Sequence, residues 1–159
     1  MILLRDETII RAPIERCFYL SLSIDLELTC IARYSGRIVA GRQTGLIGPG
    51  ERVSWRVKQF LLPVRHTSEI TLYDPPAFFQ DTMIDGVFRT FQHDHFFDAL
   101  EPNLTRMRDE MRIRAPLGIL GRIAETTLVQ PRMQKLLANR NETIQRVSES
   151  SDWRNYLPS

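Results

Sequence analysis

The sequence predicts an α+β fold in which a curved antiparallel sheet of about six or seven strands wraps around one long C-terminal helix, with two short helices after the first strand. Three observations carry this reading. Apolar side chains recur at every second position between Ile38 and Arg114. After Pro116 they recur every three or four. Two short apolar segments with helix-start and helix-stop residues lie between the first strand and the rest of the sheet.

Leu3 to Arg11 reads as the first strand, and Ala12-Pro13 then opens a short helix, since proline suits the first helical turn. A second short helix is expected over Leu22 to Ala32, ended by Ser35-Gly36. Val53, Trp55 and Val57 alternate with Arg52, Ser54, Arg56 and Lys58, the pattern of a strand buried on one face. Ile70 and Leu72 continue the alternation after a turn near Leu61-Leu62-Pro63, and Tyr73-Asp74-Pro75-Pro76 breaks it. Phe79, Asp81 and Met83 lead to Asp85-Gly86, a tight hairpin signal because both residues tolerate positive φ. Phe91, His93, His95 and Phe97 share one face of the next strand. In the last strand Thr105, Met107, Asp109, Met111 and Ile113 oppose a face of Arg106, Arg108, Arg112 and Arg114. The arginine face belongs in water and the methionine face inside. Leu120, Ile123, Ala124 and Leu128, then Leu136, Leu137, Ile144 and Val147, mark the covering face of the final helix. Pro131 should kink or break it, because an interior proline removes a hydrogen bond and clashes with the preceding turn. We expect one domain over residues 1–147 and a loose tail over 148–159, with Trp153 and Tyr156 as docking points.

Composition narrows the function classes. Of 159 residues, 43% are hydrophobic and 25% charged, the ordinary balance of a globular cytoplasmic protein. The 21 basic residues, of which only Lys58 and Lys135 are lysines, are nearly cancelled by 19 acidic ones, so no field remains to hold nucleic acid. No apolar run approaches the ~18 residues of a membrane span, and the N-terminus lacks the pattern of a signal peptide, so no stable membrane insertion is expected. Cys17 and Cys30 are too few for a disulfide framework and read as small buried hydrophobes.

Several local sequences resemble the START-like superfamily, also called SRPBCC or the polyketide cyclase/dehydrase and lipid transport group. The resemblance rests on Arg11-Ala12-Pro13-Ile14-Glu15-Arg16-Cys17-Phe18, Gly45-Leu46-Ile47-Gly48, Trp55, Tyr73-Asp74-Pro75-Pro76 and Phe79-x-Asp81. It continues through Gly86-x-Phe88-x-x-Phe91-x-His93-x-His95-x-Phe97 and Arg114-Ala115-Pro116-Leu117-Gly118, and covers residues 2 to 147. It implies a helix-grip fold enclosing a hydrophobic cavity. Pro131 departs from the unbroken helix usual in that group. Members include lipid carriers, quinone-binding proteins and aromatase/cyclases with no common catalytic motif, so the resemblance implies an apolar ligand and little more.

Chemistry-bearing residues concentrate on the inward sheet face. A hairpin centred on Glu101 would set Asp109 opposite His93 and Met107 opposite His95. His93 and Asp109 are therefore the candidate catalytic acid/base pair, although a buried structural pair satisfying each other's hydrogen bonds is the reading favoured. Candidate ligand-binding residues are Trp55, His66, Phe79, Asp81, Met83, Phe91, His93, His95, Met107, Asp109, Met111 and Ile123. No metal is expected, since His66, His93 and His95 show neither His-x-x-x-His nor Cys-x-x-Cys spacing. Gly41 to Gly50 lacks the lysine of a phosphate loop and reads as a turn bordering the cavity mouth. No serine or cysteine has an evident base partner, no dinucleotide fingerprint is present, and no cofactor is expected.

The first reading is non-enzymatic binding of a hydrophobic or amphipathic small molecule, such as a lipid, quinone or polyketide, in an internal cavity. The alternative is an aromatase/cyclase or dehydratase-like enzyme using the His/Asp pair. A second alternative is a protein-interaction or regulatory module with a filled cavity. Oligomeric state is left open.

Overall fold

The computed structural model describes residues 1–59, 62–116 and 125–158. After β1 (Ile2–Ile10) come α1 (Ile14–Ser21) and α2 (Ile24–Ile31). Six further strands follow: β2 (Arg37–Gly41), β3 (Arg52–Gln59), β4 (Leu62–Asp74), β5 (Phe78–Asp85), β6 (Thr90–Glu101) and β7 (Leu104–Arg114). The last long element is α3 (Gln130–Glu149). All seven strands form one antiparallel sheet in the order β1-β7-β6-β5-β4-β3-β2, with β1 returned to the edge beside β7. The expected architecture, a sheet gripping a C-terminal helix, is the one observed.

Alternation does what the sequence implies on β7. Thr105, Met107, Asp109, Met111 and Ile113 are all buried, while the intervening arginines stay partly in water. Those arginines are tied down at the surface. Arg106 and Arg108 both reach Asp98 Oδ2 at 3.1 Å, and Arg112 pairs with Asp94 and Glu110. On β4 the alternation breaks, because the register shifts between Ile70 and Leu72. A bulge re-aims the next side chain, so Ile70 is buried and Leu72 is not.

The helices begin and end for local reasons. Pro13 immediately precedes α1, and the Ser23 side chain caps α2 by accepting from the Leu26 N–H at 3.3 Å. A short 3-10 turn at Ala32–Tyr34 then closes on Ser35, whose φ of 55° is left-handed. Cys17 and Cys30 are both buried thiols.

Four expectations need correction. Asp85-Gly86 is not a two-residue positive-φ turn; the chain bends through residues 86–89 before β6, and Met83 packs over the Gly86 backbone. Pro131 is not interior to the regular helix. A π-helical turn, Glu125–Val129, runs directly into α3, and Pro131 falls in the first turn of α3, so the irregularity lies just before the proline. Leu128, within that π turn, is exposed rather than on the covering stripe. Leu120, Ile123 and Ala124 lie outside the described residues. Finally, the chain past α3 is not loose: Ser151–Asn155 forms a 3-10 turn, and Trp153, Tyr156 and Leu157 pack on the core.

The core divides in two. One apolar cluster gathers around Phe18, whose ring meets Tyr19, Tyr73, Phe79 and Phe97 edge-on, together with Ile10, Met107 and Ile144. The other contains Leu4, Phe91, Met111, Ile113, Met133 and Leu137. Reading along each element from one cluster to the other crosses a polar residue. It is Asp6 on β1, Asp81 on β5, His93 and His95 on β6, Asp109 on β7 and Asn141 on α3.

Candidate functional site

These residues form a continuous polar belt through the interior, joined by hydrogen bonds and close ionic contacts. Asp109, 1% exposed, is its hub. Its Oδ1 accepts from His93 Nε2 at 2.9 Å, and its Oδ2 accepts from Asn141 Nδ2 at 2.8 Å. Asn141 donates to Asp6 Oδ2 as well, at 2.9 Å. His95 lies between two carboxylates: Nε2 donates to Asp81 Oδ2 at 3.0 Å, and Nδ1 lies 2.8 Å from Asp109 Oδ1. The second contact is close but poorly aimed, so it acts as an ionic contact rather than a well-directed hydrogen bond. Arg140 joins from α3, bonding Glu27 at 3.0 Å and the Ser21 carbonyl at 3.1 Å, with Nη1 3.8 Å from Asp109.

Register explains the geometry. Asp109 faces His95, and Met111 faces His93, so the β6–β7 hairpin is displaced by two residues from the expected pairing. The displacement is even, so every side chain keeps its face. His93 reaches Asp109 along the diagonal instead of directly across. On the other side, Asp81 is directly opposite His93, which leaves its Oδ2 3.8 Å from His93 Nδ1.

Burial and charge sort the two histidines. For His95, burial favours the neutral ring, but the flanking Asp109 and Asp81 outweigh it and raise its pKa above the ordinary histidine value. For His93, burial and the adjacent charge of His95 lower the pKa despite the bond to Asp109. Burial pushes Asp109 up, yet its contacts with His93 and His95 hold it well below the usual carboxylate range. Asp81 is likewise lowered, because the bond from His95 and the nearby histidines outweigh its burial. The belt thus holds three carboxyl side chains, with His95 pushed toward its charged form and His93 toward its neutral form, donating through Nε2 and leaving Nδ1 without a hydrogen bond.

A pocket of about 240 Å³ lies between this belt, the sheet and the helices. Of the residues expected to bind ligand, Trp55, His66, Phe79, Asp81, Phe91, His93, His95 and Met111 lie on its wall. Met83, Met107 and Asp109 do not. Met83 folds over Gly86, Met107 is sealed in the first cluster, and Asp109 lies behind the two imidazoles. Ile123 is outside the described residues. His66 stands apart from the belt, bonded to Ser68 at 2.9 Å with its ring edge-on to Phe91, and burial lowers its pKa. Ile47, in the glycine-rich segment, and Ile24 contribute apolar wall, while Tyr34, Lys58 and Arg132 lie on the side where Arg132 bonds the Lys58 carbonyl.

The helices bring charge that sequence reasoning missed. Arg140 and Glu27 line the pocket, so its wall is more polar than the strands alone imply. One signal was available: Asn141 sits on the Leu137–Ile144 stripe, four residues after one and three before the other, where an apolar residue is expected. Among the described residues no helix is long and apolar enough to cross a membrane.

No family model and no curated protein match the chain. Solved structures do. A Thermus thermophilus protein, TTHA0849, is 22% identical, with 92% of this chain and 99% of that one covered and a TM-score of 0.66. A START superfamily protein from Mycobacterium smegmatis is 10% identical, covering 92% and 97%, with a TM-score of 0.65. Norcoclaurine synthase from Thalictrum flavum, in complex with dopamine and hydroxybenzaldehyde, is 10% identical, covering 92% and 85%, also at 0.65. The fold is therefore the START-like helix-grip fold, as the resemblance implied. At these identities the likeness carries the fold alone.

Proposed function

We propose that the chain binds a compact hydrophobic or amphipathic molecule of one or two rings in this pocket. The observation that carries the reading is a largely apolar wall that includes Arg140, Asp81, His93 and His95. A volume of about 240 Å³ is small for a two-chain lipid and suits a ring system. A phenyl-sized group buries roughly 150–250 Å², which at ~25 cal/mol per Å² provides about 4–6 kcal/mol. Lost translation and rotation cost about as much, so apolar contact alone leaves affinity weak. The polar wall then decides both orientation and strength. That norcoclaurine synthase, on the same fold, is complexed with two single-ring molecules agrees with a ligand of this size.

The test fills the pocket. Val57 lines it from β3 and is half-buried. Val57→Phe should abolish binding of 1-anilinonaphthalene-8-sulfonate, read through its own fluorescence and through Trp55, while leaving the melting temperature within a few degrees. Equal binding by wild type and Val57→Phe, or binding only to two-chain phospholipid vesicles, would reject the compact-ligand reading.

A second reading follows from His93. Its Nε2 is engaged by Asp109, while Nδ1 is unbonded, held neutral and on the pocket wall, the arrangement of a general base. An aromatase/cyclase or dehydratase-like reaction would need this group. His93→Phe would then leave binding intact and reduce turnover by about 10²-fold or more.

A further inference from the structure

The belt brings three side chains of metal-ligating type, Asp81, His93 and His95, together. Asp81 and His93 are cross-strand neighbours, and His95 is two residues along on the same face. Asp81 Oδ2, His93 Nδ1 and His95 Nε2 therefore converge, all within 4.8 Å of one another, with the carboxylate oxygen 3.8 Å from the first nitrogen and 3.0 Å from the second. Metal–nitrogen and metal–oxygen bonds of about 2.0–2.2 Å in a tetrahedron put ligand atoms roughly 3.3 Å apart. The observed separations bracket that value, and closing the widest needs side-chain movement on the order of 1 Å.

A second observation is independent of the first. The other nitrogen of each imidazole faces one carboxylate, Asp109, at 2.9 Å for His93 Nε2 and 2.8 Å for His95 Nδ1. Metal-bound histidines almost always turn their remaining N–H to a carboxylate or carbonyl, which fixes ring orientation and raises basicity. Here a single buried carboxylate accepts the His93 N–H and lies beside His95 Nδ1 as an ionic contact, and Asn141 holds it in turn. The His-x-His spacing on a strand is invisible to rules written for helical ligands, which explains its absence from sequence expectation.

We propose that Asp81, His93 and His95 form a binding site for a divalent first-row transition metal ion, with Asp109 as the outer carboxylate that bonds His93 and lies against His95. Two imidazoles and one carboxylate suit Zn(II) and equally Fe(II) or Co(II). All three ligands line the pocket, so the ion's remaining position faces it and would take an oxygen or nitrogen of whatever enters. The site does not depend on the apolar ligand proposed above. A bound ion would, however, occupy His93 Nδ1 and displace the general-base role.

The experiment starts from full-length protein stripped with a chelator and titrated separately with Zn(II) and Co(II). One equivalent of each should bind, and Co(II) should give the intense visible bands of a four-coordinate N/O site. Asp81→Asn and His95→Asn should each abolish saturation. Asp109→Asn, which removes no ligand, should weaken affinity by about 10- to 100-fold. His66→Asn and the pocket-filling Val57→Phe should bind as wild type, so failure of the apolar-ligand reading leaves this result intact. Should the belt variants fail to fold, wild type still decides: Zn(II) must shift the side-chain NMR signals of His93 and His95 and leave His66 in place. No saturable equivalent, unchanged binding in Asp81→Asn, or a shift confined to His66 would each overturn the proposal.

Discussion

Replacing Asn141 with alanine removes an amide that joins α3 to the belt. Its Nδ2 serves two carboxylates, Asp109 at 2.8 Å and Asp6 at 2.9 Å, and the side chain is 1% exposed. A hydrogen bond to a charged group contributes about 1.5–3 kcal/mol, and a buried acceptor left bare costs toward the upper end. Asp109 is fully buried, whereas Asp6 is partly open to water that can replace the lost donor. The sum is about 3 kcal/mol, most of it from Asp109. For a chain of this length that lowers Tm by roughly 6–12 °C. Urea denaturation gives the loss directly, provided the slope with denaturant is unchanged. Repeating the substitution in an Asp109→Asn background closes the cycle. With the charge gone, Asn141→Ala should cost at least about 1 kcal/mol less. A loss below about 1 kcal/mol in wild type, or no coupling in the cycle, would show that the belt is not held together by this contact.

Two further outcomes follow from local geometry and charge. Gly41 has φ of 80°, and a Cβ there would lie 2.2 Å from the Arg52 carbonyl oxygen, whereas Gly50, at φ 75°, has no neighbour within 4 Å. Gly50→Ala should therefore cost only the left-handed strain of about 1–2 kcal/mol, and Gly41→Ala distinctly more; equal losses by urea melts would contradict the clash. Burial pushes Asp94 up, but bonds from Gln80, Arg112 and Gln92 outweigh it and hold its pKa below the ordinary value of about 3.9. A depressed carboxylate stabilises the fold above its unfolded pKa and loses that contribution as pH falls through the folded one. Asp94→Asn should consequently reduce stability at pH 7, and the gap to wild type should close below about pH 4. A gap that does not narrow at all as pH falls below about 4 would assign the loss to packing instead.

The sheet was legible because one face of each strand is buried, which writes a period of two into the sequence. Where the period failed to predict burial, a specific backbone event intervened, as at the bulge that turns Leu72 outward. Hairpin register was the weaker inference. The β6–β7 connection turns through Pro102-Asn103 and not about Glu101, so each pair moves by two. Parity protects face assignments from such a shift but not partner assignments. The inward set therefore stood while the directly facing partner of Asp109 changed from His93 to His95. The helix contribution was least legible. Arg140 looks like any surface arginine until tertiary packing brings Glu27 and Asp109 beside it.

What the sequence does show, once the fold is known, is that five elements each interrupt an apolar run with a polar residue at the same level. Stability alone does not explain that arrangement. Replacing a buried ionic group with well-packed apolar side chains is often neutral or stabilising by about 1–4 kcal/mol. The two apolar clusters already flank the belt on both sides, so methionine, leucine and phenylalanine there would join them into one core. Instead, a carboxylate sits behind two imidazoles, an amide steadies the carboxylate, and the free nitrogen of His93 stays on the pocket wall. The order from interior to pocket runs from support to a nitrogen without a hydrogen bond. Such layering suits a site that must hold donors in fixed directions, and it is the physical reason for proposing a binding site at Asp81, His93 and His95.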